Sequence, residues 1–179
     1  IQREALFNRM GFNSLGAALV SARLSQARLV LPENFRIGVN LGKNKDTPIQ
    51  ESFRDYVRVA QAFQGLADYL VINISSPNTP GLRSLQTVDA LKPIVSELAT
   101  LIQGWTNKTP LLLKLAPELF GHELTDLIQA VEPMGVDGWV LTDTQAGFFQ
   151  VKDQDLNGGW SGRPLSEISK RSLVQARQV

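Results

Sequence analysis

Residues 71–86 read VINISSPNTPGLRSLQ, and this stretch concentrates the side chains best suited to chemistry. An apolar, β-branched run over residues 69–74 passes directly into a polar loop. Asn73 stands near the end of the run, and Ser75, Ser76 and Asn78 follow it. Apolar runs bounded by turn-forming residues read as buried strands, so these groups lie where a strand leaves the core. Asparagine amides both donate and accept hydrogen bonds, which suits a flat ligand whose edge alternates donors and acceptors. A loop serine can enter or leave such a site. Taken alone, SSPN also reads as a plain Ser-Pro-Asn turn after a strand.

Three further apolar runs, at residues 35–41, 110–115 and 138–141, also carry polar groups at or beside their ends. These are Asn40, Lys114, and Thr142 with Asp143. The runs are spaced about 30 to 40 residues apart, as βα units of a parallel sheet are. In such folds ligands sit at the carboxyl ends of the strands, so four strand ends converge on one expected site.

The elements between the runs are helical. Phe53, Tyr56, Val57 and Ala60 follow the i, i+3, i+4, i+7 rule, with Thr47 expected as N-cap, Pro48 at the first position and Gln50 completing a capping box. Leu91, Ile94, Val95 and Leu98 repeat the period, and Pro93 predicts a late start or a kink. Leu124, Leu127, Ile128 and Val131 form a third stripe, and residues 15–29 and 165–176 supply two more helices. A closed (β/α)₈ barrel takes about 250 residues. Four strands and five helices in 179 residues predict the middle of a barrel, incomplete at both ends.

Composition narrows the classes. A hydrophobic fraction of 43% and a charged fraction of 20% describe an ordinary globular chain. A net charge of +1 gives no electrostatic case for nucleic acid or an anionic membrane. No apolar run approaches the roughly 20 residues that span a bilayer, and the residues after Ile1 do not read as a signal peptide. With no cysteine, disulfides, thiolate catalysis and Cys-based metal sites are excluded. His122, the single histidine, reads as a surface residue, and Trp105, Trp139 and Trp160 as packing or loop residues. Lys43 and Lys45 read as loop lysines without a catalytic part. Arg9 and Arg83 read equally as anion contacts or solvated surface.

Five separated motifs resemble class 2, quinone-linked, dihydroorotate dehydrogenases. FNRMGFNSLG (residues 7–16) resembles the family's substrate loop, and VNLGKNKDTP (39–48) its next strand end. NISSPNTPGLRSLQ (73–86) resembles the catalytic loop, LLLKLAPE (111–118) the segment bearing the flavin lysine, and GGWSGRPL (158–165) a flavin-contacting turn. The resemblance implies one FMN-binding (β/α)₈ barrel domain, of which residues 1–179 are the central portion. It implies oxidation of dihydroorotate to orotate, with hydride passing to FMN and quinone as final acceptor. Peripheral attachment to a quinone-containing membrane follows from the same resemblance.

Carried over residue by residue, it makes Ser76 the base that takes a proton from carbon 5 of dihydroorotate, with Thr79 and Phe12 relaying and gating that proton. Class 1A enzymes use cysteine at the base position. Substrate contacts fall to Asn8, Arg9, Met10, Gly11, Phe12, Asn73, Asn78, Asp143 and Thr144. Asn40, Asn73, Lys114, Thr142 and Gly162 would contact FMN. The sequence departs from the family at Asp143, where asparagine is usual, in the loop QAGFFQVKDQDLN, and at Trp160. Other readings are an inert piece or scaffold, or a paralogous FMN-barrel enzyme with another substrate. The polypeptide alone is expected to hold FMN weakly, to lack activity and to self-associate through open strand edges.

Overall fold

The computed structural model describes residues 4–151 and 154–179. Residues 1–3, and Lys152 and Asp153 of the QAGFFQVKDQDLN stretch, lie outside the described residues. In chain order the elements are β1 (Ala5–Asn8), α1 (Ala17–Arg28), β2 (Gly38–Leu41), α2 (Ser52–Ala62), β3 (Tyr69–Asn73), α3 (Val88–Gln103), β4 (Leu111–Leu115), α4 (His122–Val131), β5 (Gly138–Leu141), β6 (Gln145–Val151), β7 (Gln154–Gly162) and α5 (Arg163–Ala176). Short 3₁₀ turns occupy Ile49–Glu51, Leu82–Leu85 and Glu132–Met134.

Strands β2, β3, β4 and β5 form a parallel sheet in that order. Side chains alternate across a strand, so Leu70 and Ile72 of β3 share a face with Leu111, Leu113 and Leu115 of β4. All five are buried, in one cluster with Tyr56 and Ala60 of α2, Leu91, Ile94 and Leu98 of α3, and Leu124, Ile128 and Val131 of α4. The opposite face carries Asn40, Val71, Asn73, Leu112 and Lys114. Strand parity therefore separates core from site. Among the described residues the helices pack on the core face and the sheet does not close, which makes it an open section of a (β/α)₈ barrel wall.

At the amino end of the sheet two aspartates repeat one device. Asp68 precedes β3 and accepts from Ile37 N at 2.7 Å, while its own N–H donates to Ile37 O at 2.8 Å. Asp137 precedes β5 and exchanges the same pair of bonds with Leu111, at 2.9 and 2.8 Å. Each caps the neighbouring strand, so its first backbone groups are satisfied before the ladder begins. Arg28, at the end of α1, adds a 2.5 Å ion pair to Asp68 and donates to Leu66 O at 2.7 Å.

Several local expectations are corrected. Thr47 caps no helix: Pro48 precedes the 3₁₀ turn Ile49–Glu51, and α2 begins only at Ser52, with no side-chain cap. The Thr47 carbonyl is taken instead by Lys43 Nζ at 2.6 Å. Helix α3 does not begin late. Thr87 caps it, accepting from Ala90 N at 3.4 Å, and Pro93 lies inside it. The strand expected over residues 35–41 shortens to Gly38–Leu41. Residues 158–162 of the expected flavin-contacting turn belong to strand β7, and QAGFFQVKDQDLN contributes β6 and the start of β7. With β1 these strands form a second, antiparallel sheet in the order β1-β7-β6.

Candidate active site

The four strand ends are joined by one chain of polar contacts. Asn73 Nδ2 faces Asn40 Oδ1 at 3.5 Å, a long contact, and Asn73 Oδ1 accepts from Ser75 Oγ at 3.0 Å. Ser75 Oγ also lies 2.8 Å from Asp143 Oδ2, and Asp143 Oδ1 is 3.3 Å from Lys114 Nζ. The chain runs from β2 through β3 to the segment after β5 and back to β4. Its register follows from the sheet, in which Asn73 pairs directly with Lys114.

Two residues of α2 hold this edge from behind. Tyr56 is fully buried and its hydroxyl donates to Asn73 O at 3.1 Å. Burial, with Asp55 alongside, pushes the Tyr56 phenol well above its ordinary range, so it stays a donor. Asp55 accepts from Asn44 N and Asn44 Nδ2 at 2.9 and 3.1 Å, fixing the loop after β2. Lys43 is buried in that loop and donates to the carbonyls of Asn44 and Thr47, a structural duty.

The serine pair divides its work. The single hydroxyl proton of Ser75 is engaged by Asn73 and Asp143. Ser76 is buried, its Oγ accepts from Asn78 N at 3.3 Å, and among the described residues it donates to no protein acceptor. Asn78 Nδ2 reaches across to Asn8 Oδ1 at 3.0 Å, joining the loop after β3 to β1. That contact is possible because the antiparallel sheet stands close to this loop. A Cβ on Gly159 of β7 would lie 2.2 Å from Thr144 Oγ1 and 3.1 Å from Pro77 Cγ, so only glycine admits the approach.

Beside the asparagines opens a cavity of about 1080 Å³, lined among others by Met10, Gly11, Phe12, Asn40, Asn73, Asn78 and Thr79. Pockets that hold small ligands and cofactors reach this size. Phe12 is 42% exposed and its ring lies against Gly42 at the cavity wall.

Not every expected residue joins this group. Thr142 Oγ1 is 3.0 Å from Ser169 Oγ of α5 and also donates to Asp143 O, so its hydroxyl is engaged by the helix behind it. Gly162, at φ 94°, ends β7 against Glu4, where a Cβ would lie 2.5 Å from Glu4 O. Both constraints are those of a chain junction. Arg9 is exposed and does not line the cavity. Thr144 gives its N–H to Asp143 Oδ1 at 2.7 Å, and its carbonyl accepts from Arg83. Sequence reasoning did not single out Glu118, which pairs with Arg83 at 2.9 Å, or Gln86, which accepts from Ala116 N at 2.8 Å. The signal for both was their place in loops that follow strand ends.

Polar groups gathered at the carboxyl ends of parallel strands, beside a cavity and backed by helices, define an α/β-barrel site. The sequence matches the dihydroorotate dehydrogenase family over residues 2–179, and the chain belongs to that family. It is 41% identical over 169 residues to dihydroorotate dehydrogenase (quinone) of a Nitratiruptor species, covering 94% of this chain and 46% of that protein. It is 41% identical over 174 residues to the Mycolicibacterium smegmatis protein of the same name, covering 95% and 47%. The crystal structure of ligand-free Eimeria tenella DHODH superposes with a TM-score of 0.87 at 31% identity, covering 99% of this chain and 55% of that one. The chain thus spans about half the length of these relatives.

Proposed function

We propose that residues 1–179 are the central portion of an FMN-binding barrel domain whose intact protein oxidises dihydroorotate to orotate, with quinone as the final electron acceptor. The observation that carries this reading is the division of the serine pair. Ser75 is tied into the polar chain, while Ser76 is buried beside Asn78 and gives its proton to no acceptor among the described residues. An alcohol is a very weak base, so Ser76 can accept the carbon 5 proton only where bulk water is excluded and a relay removes its own proton. Thr79 and Phe12 line the cavity next to the loop and suit that relay and its gate. Asn8, Asn73 and Asn78 offer amides that match a pyrimidine edge, and Met10 and Gly11 would close over it.

The donor set fits a flavin mononucleotide. Asn40 and Asn73 present amides at the cavity edge, and Lys114 brings an ammonium to the same sheet face. Asn40, Asn73 and Lys114 would hold the flavin; Thr142 and Gly162, taken up by contacts with Ser169 and Glu4, stand outside this set. When bound, FMN supplies the hydride acceptor. A fixed ammonium in a site of low dielectric stabilises negative charge that develops on a ligand.

A second reading, an altered ligand preference within the family, is favoured by the Asp143–Lys114 pair. A carboxylate there already occupies the cation that an anionic ligand would use. Among the described residues no helix is long and apolar enough to cross a membrane; peripheral attachment to a quinone-containing membrane is part of the proposal. The test is anaerobic addition of dihydroorotate to the intact protein loaded with FMN. Bleaching of the flavin with formation of orotate is expected. An unbleached flavin that is reduced normally by dithionite would contradict the assignment.

A further inference from the structure

We propose that Arg83 is the positioning residue of the serine loop, a clamp that sets where Ser76 stands; this rests on the reading of Ser76 as the base. Each nitrogen of its guanidinium serves a different segment. Nε donates to Ser75 O at 2.7 Å, in the loop after β3. NH2 donates to Thr144 O at 2.9 Å, in the segment between β5 and β6. NH1 pairs with Glu118 Oε2 at 2.9 Å, in the loop after β4. The other oxygen of Glu118 accepts from Ala146 N at 2.7 Å, at the start of β6.

The bond to Ser75 O reaches Ser76 through covalent geometry. The peptide unit is planar and rigid, so the carbonyl of one residue, the amide of the next and both their Cα atoms move together. Fixing Ser75 O therefore fixes the Cα of Ser76 and limits where its Oγ can point. The bond to Thr144 O and the Glu118 bond to Ala146 fasten the other side of the site. There β6 pairs with β7, β7 pairs with β1, and β1 ends at Asn8, the partner of Asn78. One side chain, three-quarters shielded from solvent, thus holds the base loop in register with the loops that face it.

The fork is essential to this duty. Guanidinium is planar and offers divergent donors, whereas an ammonium is a point charge on a flexible stem. Lysine at position 83 would keep the charge opposite Glu118 and lose the simultaneous grip on two carbonyls. A role in charge or solubility alone survives that exchange; a positioning role does not.

The experiment uses the intact FMN-loaded protein and compares R83K, R83A and S76A with wild type. Flavin reduction by dihydroorotate is followed in stopped flow, and orotate affinity is measured by its perturbation of the flavin spectrum. Misplacing a catalytic group by about 1 Å costs roughly 10²-fold. R83K is accordingly expected to slow flavin reduction by at least about tenfold, with orotate affinity within threefold of wild type, because Arg83 lies off the cavity. R83K decides the matter if R83A does not fold. Wild-type reduction by R83K overturns the proposal, and so does an R83K protein that loses orotate affinity in step with rate. S76A separates the two claims: slow S76A beside normal R83K refutes the clamp alone, while normal S76A refutes the reading of the base.

Discussion

Asp143 Oδ1 lies 3.3 Å from Lys114 Nζ, and its other oxygen lies 2.8 Å from Ser75 Oγ. The position where the family resemblance leads one to expect asparagine thus carries a carboxylate paired with Lys114. An asparagine would keep an acceptor for Ser75, leave the ammonium to the flavin and remove a negative charge that repels an anionic substrate. In the intact protein, D143N is expected to bind orotate about tenfold more tightly, equivalent to about 1.4 kcal/mol. Isothermal titration at neutral pH checks this, and equal affinity would remove the case for an altered ligand preference.

Tyr56 is the support behind Asn73, and its loss should register as instability before it registers as chemistry. Y56F leaves the Asn73 carbonyl without its side-chain donor in a buried place, at a cost of about 1–3 kcal/mol. Because burial raises the phenol above its unfolded value, the unfolded chain gives up that proton first. Stability contributed by the neutral phenol is therefore intact below about pH 10 and declines as pH rises beyond it. Urea melts at pH 7 and pH 10.5 should show the Y56F deficit shrinking at the higher pH. A deficit that grows would contradict the sign.

Asp68 makes the opposite prediction in acid. The hydrogen bond from Arg28 is the main cause holding its carboxyl below the usual range, with Ile37 N and Arg36 assisting against burial. A depressed carboxylate contributes stability that is present above its unfolded value, near 3.9, and is lost as pH falls through the lower folded value. D68N should accordingly be destabilised at neutral pH, with the gap to wild type closing in acid below about pH 4. A gap of the same size in melting curves at pH 7 and pH 3 would show otherwise.

The parallel sheet was legible because buried strands between helices announce themselves as apolar runs. Leu111, Leu113 and Leu115 alternate with half-buried partners, and the tail of the run delivers Lys114 to the site face. The antiparallel sheet was not. Gly147, Gly158 and Gly159 interrupt any apolar alternation in β6 and β7. They are there because Trp160, Phe7 and Thr144 occupy the space a Cβ would need. Trp160 packs on Phe7 and Phe149 at centroid distances of 5.0 and 5.6 Å, and the contact with Phe7 is one that no local window contains. The polar chain was legible in its members and not in its links. Asn40, Asn73, Lys114 and Asp143 stand at strand ends, but the Ser75–Asp143 contact spans 68 positions. Arg83 read equally well as surface, since its acceptors are backbone carbonyls and a carboxylate brought close only by the fold.

The outer strands β2 and β5 each lack a partner on one side within the described residues. Unpaired strand edges invite association, and Met10, Leu15, Leu29 and Val30 add exposed apolar surface. As a separate polypeptide of 179 residues the chain is expected to self-associate and to hold FMN weakly. Sedimentation with added FMN tests both at once. A monomer carrying stoichiometric flavin would refute the expectation.

The most direct measurement is flavin reduction by S76A in the intact protein. General base catalysis contributes roughly 10²–10⁴-fold, so removing the Ser76 hydroxyl should slow stopped-flow bleaching by at least about two orders of magnitude. Orotate affinity should hold if Asn8, Asn73 and Asn78 bind the ring as proposed. Bleaching within about tenfold of wild type would mean that another group takes the proton and that the division of the serine pair has been misread.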